Sequence, residues 1–64
     1  MNTYEMLVDF FENNRGTWIS AKRLSEETGA AEESEVAAAL GRLALSGYIV
    51  NKRKNYLREK GGKF

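Results

Sequence analysis

Lys52, Arg53 and Lys54, with Arg58 four residues further on, are the side chains in this 64-residue chain best suited to a chemical task. Cations gathered on a short polar turn neutralise an anionic partner, and a phosphate backbone is the commonest such partner. The formal net charge is only +1, yet its distribution is uneven. Through Val50 there are four cations against eight carboxylates; from Asn51 onward there are six against one. Catalysis finds much less support. The chain has no histidine and no cysteine, which removes imidazole and thiolate chemistry, disulfides and the common transition-metal ligand sets. Its carboxylates are scattered, and a chain this short has little room for an enclosed active site. No catalytic residue, metal site, cofactor or small-molecule substrate is read from it.

The elements that must carry the basic residues are legible in the flanking pattern. Tyr48, Ile49 and Val50 start a strand, Asn51 to Lys54 form a polar basic turn, and Asn55 to Arg58 return as a second strand. Lysine and arginine at such a tip have several common uses. They contact phosphates without reading sequence, they protect an exposed sheet edge from aggregation, or they meet an acidic protein partner. Residues 61–64 read as a flexible tail, with Phe64 either loose or tucked against the sheet.

Ahead of this hairpin lies Ala31 to Ser46, AEESEVAAALGRLALS, a helix by its periodicity. Val36, Leu40 and Leu43 share its inward face, flanked by Ala39 and Ala44. Its outward side carries Ser34, Ala37, Ala38, Gly41 and Leu45, mostly methyl groups and a hydrogen. Glu32, Glu33 and Glu35 crowd the first turn, where negative charge offsets the helix macrodipole by about 0.3 to 1 kcal/mol each. Two uses of this helix stand side by side: plain helix stabilisation by Ala and Glu, or a smooth face that admits a protein partner or a second copy of the chain.

The first segment, Asn2 to Asn14, places Tyr4, Leu7, Val8 and Phe11 at helical spacing. Either Asn2 with Glu5 as a capping box, or Thr3 alone, starts it, and Gly16 stops it. Met6 and Phe10 lie off that stripe, either covered by the C-terminal strands or available as a dimer contact. Gly16 to Ile19 suit a single extended pairing, after which Ser20 caps a short helix, Ala21 to Thr28, closed by Gly29. On that helix Lys22 with Glu26 and Arg23 with Glu27 are i,i+4 pairs; alternatively, Lys22 and Arg23 touch phosphates. No apolar run approaches the roughly 18 residues that span a bilayer, and the first residues are not a signal peptide, so the expected location is the cytoplasm.

The run from Ile19 to Val50, ISAKRLSEETGAAEESEVAAALGRLALSGYIV, resembles the winged helix-turn-helix family. The residues that carry the resemblance are Leu24, the turn glycine Gly29, the ladder Val36, Leu40 and Leu43, and Gly47 to Val50 leading into a wing. The resemblance implies an α+β, mainly α domain over residues 1–60, with three helices, a short first strand and a C-terminal two-stranded wing. It also implies a small transcriptional regulator that binds double-stranded DNA as a homodimer. The family's base-reading positions fall on Ser34, Ala37, Ala38 and Arg42, of which Ser34 and Arg42 carry polar groups. The expected DNA-contacting set is therefore Lys52, Arg53, Lys54, Arg58, Arg42, Ser34, Lys22 and Arg23. The alternative is a protein-interaction module using Ala37, Ala38, Gly41 and Leu45, with Met6 and Phe10 as a second apolar patch.

Overall fold

The computed structural model describes residues 2–29 and 31–61, with helices α1 (Thr3–Asn13), α2 (Ala21–Thr28) and α3 (Glu33–Leu45). Strands β1 (Ile19–Ser20), β2 (Val50–Lys52) and β3 (Asn55–Leu57) complete it. The outcome is a small α+β arrangement, mainly helical, with one three-stranded antiparallel sheet in the order β1-β3-β2.

Each helix begins and ends for a local reason. Of the two starts open for α1, the capping box forms. The Asn2 side chain accepts from the Glu5 N–H at 2.8 Å and the Glu5 carboxylate accepts from the Asn2 N–H at 3.3 Å. Ser20 caps α2 by accepting from the Arg23 N–H at 3.2 Å, and Gly29 ends it in the left-handed region at φ 62°. Glu32 caps α3 without a side-chain hydrogen bond, and Glu33 and Glu35 supply negative charge to its first turn. At the far end Gly47 takes φ 88°, its N–H donates to Ala44 O at 3.1 Å, and the Tyr48 N–H donates to Leu43 O at 3.1 Å. Those two bonds make a Schellman motif.

That motif corrects the expected strand boundary. With its N–H committed to α3, Tyr48 lies outside the ladder, as does Ile49, and β2 begins only at Val50. The turn is correspondingly shorter than Asn51 to Lys54. Asn51 and Lys52 pair with Tyr56 and Asn55, leaving Arg53 and Lys54 as a two-residue connection. β3 stops at Leu57, so Arg58 lies beyond it.

The core draws Leu7 and Phe11 from α1, Ile19 from β1, Leu24 from α2, Val36, Ala39 and Leu40 from α3, and Ile49. Burying one such side chain is worth roughly 1.5 to 3 kcal/mol, so these eight residues set the relative placement of all three helices and the sheet. Leu43 and Ala44 are half-buried against this cluster. Phe10 is half-buried as well, edge-on to Phe11 with ring centroids 5.9 Å apart, and Met6 is half-buried. Of the expected tail, only Gly61 falls within the described residues; Gly62, Lys63 and Phe64 lie outside them.

Candidate nucleic-acid interface

The hairpin tip is built by one amide. The Asn51 side chain donates to Arg53 O at 2.9 Å and to Asn55 O at 3.0 Å, closing the turn from inside. Arg53 sits at φ 60°, a left-handed conformation that a residue with a Cβ adopts at a cost of about 1 to 2 kcal/mol. Lys52, Arg53 and Lys54 are all exposed, and among the described residues none of them forms an ion pair.

The register decides what stands beside them. Ser20 pairs with Asn55, which pairs with Lys52, so these three share one face of the sheet. Ile19 pairs with Tyr56 on the opposite face, which points into the core. Strand alternation then puts Val50 and Leu57 on the outer face with Lys52 and Asn55. Trp18, just before β1, remains 44% exposed, and with Lys52, Arg53 and Asn55 it lines an open cleft of about 370 Å³. Sequence reasoning placed Trp18 in an extended pairing and gave it no functional role. The available signal was its position two residues before the strand-pairing Ser20, on the face opposite Ile19.

Arg58 is placed differently from the tip. It is half-buried; its Nη1 donates to Tyr48 O at 2.7 Å, and its guanidinium carbon lies 4.3 Å from the centre of the Tyr48 ring. Its Nε is buried without a hydrogen bond, 3.6 Å from Glu12 Oε2. The Glu12 carboxylate also accepts from the Tyr48 hydroxyl and, at 2.7 and 3.0 Å, from Arg15. This cluster moves two titrations. The Tyr48 hydrogen bond, followed by that of Arg15, holds the Glu12 carboxyl below its ordinary 4.5. Burial, followed by the hydrogen bond to Glu12, pushes the Tyr48 phenol up to about 12. Arg58 was expected in the DNA-contacting set, but its guanidinium is spent on tying the hairpin root to α1.

On α3, Ser34, Ala38, Arg42 and Leu45 are exposed, whereas Ala37 and Gly41 are half-buried. Ala38 and Arg42 line a groove shared with Thr3 and Tyr4 at the start of α1, where Thr3 Oγ1 donates to Glu35 at 3.4 Å. A Cβ added at Gly41 would meet nothing within 4 Å, and Leu45 is 90% exposed. On α2, Arg23 pairs with Glu27 at 3.1 Å; among the described residues Lys22 is exposed and forms no such pair. Among the described residues, no group of acidic side chains is placed to hold a metal ion, and no helix is long and apolar enough to cross a membrane. Comparison with protein-family models, with curated proteins and with solved structures finds no match to this chain.

Proposed function

We propose that this chain is a winged-helix domain that binds duplex DNA, led by its hairpin, and serves as a small transcriptional regulator acting as a homodimer. One observation carries the reading. Arg15, Arg23 and Arg58 are each paired with a carboxylate, whereas the three consecutive cations at the hairpin tip have no carboxylate partner among the described residues. Unpaired cations on a protruding turn are available to phosphates, and each contact made releases condensed counterions. The element order and the sheet order β1-β3-β2 support the winged-helix assignment. In this reading Lys52, Arg53 and Lys54 grip the backbone, and Arg42 and Ser34 on α3, with Lys22 on α2, set orientation. The Ala-rich outer face of α3 offers few donors to base edges, so most of the affinity is electrostatic. Titration of a mixed-sequence duplex at several salt concentrations tests it. The tip alone contributes about 2.7 to the slope of log affinity against log salt, at 0.9 per phosphate contact. Absence of binding at low salt overturns the reading.

A second reading is favoured by Leu45 and Gly41. An almost fully exposed leucine beside an open glycine suits a docking face for a protein helix or a second copy. Sedimentation of Leu45→Glu and Gly41→Arg against the unaltered chain tests it: loss of association supports the face as an interface, and unchanged behaviour removes it.

A further inference from the structure

We infer that the cleft between Trp18 and the hairpin tip holds an unpaired nucleotide, so that the domain prefers duplex DNA with a single-stranded overhang to blunt duplex. This deepens the DNA-binding reading, on which it rests, by naming the state of DNA that the tip selects.

The lining of the cleft has the composition a nucleotide requires. Trp18 gives an aromatic surface, Lys52 and Arg53 give two cations, and Asn55 gives an amide; among the described residues no carboxylate lines it. An indole surface takes a base by stacking, the cations take the flanking phosphates, and the amide has a donor and an acceptor for a base edge. Trp18 leaves 44% of its surface in water beside these cations. Val50, itself 39% exposed, and Leu57 share the outer sheet face with Lys52 and Asn55. Trp18 and Asn55 also line a second cleft that contains Glu27, but that carboxylate is held by Arg23 at 3.1 Å. Within a continuous duplex both faces of every base are covered by neighbouring pairs. An unpaired base can turn its face to Trp18 and its free edge to Asn55 together, whereas the terminal bases of a blunt duplex keep their edges paired.

Trp18 is the sole tryptophan, so tryptophan fluorescence reports on the indole that lines this cleft. The full chain is titrated with a blunt duplex and with the same duplex extended by a short oligothymidine overhang, at physiological salt. The overhang is expected to bind about 5- to 10-fold more tightly and to quench Trp18, whereas the blunt duplex binds without quenching. Trp18→Ala is expected to lose the overhang's advantage while keeping its affinity for blunt duplex, and Trp18→Phe to retain part of it. Circular dichroism establishes that each variant is folded; if Trp18→Ala does not fold, quenching of the unaltered chain decides. Equal affinity for the two probes, no quenching by the overhang, or an advantage that survives Trp18→Ala overturns the nucleotide site and leaves the duplex reading standing. Failure to bind either probe at low salt overturns both.

Discussion

The two ends of the hairpin use the same residue type in opposite ways. At the tip, Arg53 and its lysine neighbours are exposed and, among the described residues, unpaired; the backbone there accepts a left-handed arginine. At the root, Arg58 is half-buried, stacked on Tyr48, bonded to a backbone carbonyl and set against Glu12. A count of basic residues treats the four as one patch. Their surroundings divide them into charge available to a partner and charge consumed by the fold. Cations held by the fold contribute stability, modestly where exposed and more where desolvated, while cations left in water contribute long-range attraction that salt screens.

The largest test of this division is removal of the tip charge. Lys52→Ala, Arg53→Ala and Lys54→Ala combined should lower affinity for duplex about 100-fold at physiological salt. The midpoint of thermal unfolding should barely move. Fluorescence anisotropy and a melting curve check the two halves of that expectation. Arg58→Ala should do the converse. Loss of the carbonyl bond and the Tyr48 stacking should cost about 1 to 2 kcal/mol in denaturant unfolding, with an unchanged salt slope. If it weakens DNA binding as much as the triple tip variant, the division collapses.

Arg53→Gly sharpens the comparison from within the tip. Relief of the left-handed backbone, less the entropy glycine costs, should stabilise the domain by about 0.5 to 1 kcal/mol. The salt slope should fall by about 0.9, the share of one phosphate contact. The smallest effect is the pH response of the root. The Glu12 pKa is depressed, so its stabilisation is complete above the ordinary 4.5 and is lost as pH falls below that value. The Tyr48 pKa is raised, so its contribution is complete below 10.0 and is lost as pH rises from there toward about 12. Urea unfolding across pH should show both limbs, and Glu12→Gln should flatten the acid one. The ultraviolet difference between the unaltered chain and Tyr48→Phe should have its midpoint near pH 12.

What the sequence made legible is what local chemistry decides. The Ser20 and Gly29 ends of α2 and the Val36 and Leu40 face depend on residues a few positions apart and form as the spacing implies, and the Asn2 to Glu5 capping box is one of the two starts that the spacing allows. The strand ends were read less well. Tyr48 is hydrophobic and a good strand former, but its N–H is claimed by Leu43 O, a competition that no propensity encodes. The same limit applies to the candidate site. The tip cations could be picked out from composition alone. The commitment of Arg58 to Glu12 depends on packing α1 against the hairpin root, and the cleft beside Trp18 depends on pairing β1 with β3; both bring together residues far apart in the chain.

That same pairing sets an order of events. β3 is the central strand, and its partner β1 precedes it by more than half the chain's length, whereas the packing of α2 on α3 and the β2–β3 hairpin join neighbours. Closing the longer loop costs more chain entropy. The β1–β3 ladder therefore closes late in folding; its two residue pairs are backed by the Gly16 N–H bond to Arg58 O at 2.8 Å. Amides of β1 should exchange with solvent ahead of those buried in α3, through openings that unseat Trp18 from the hairpin while the helices stay assembled.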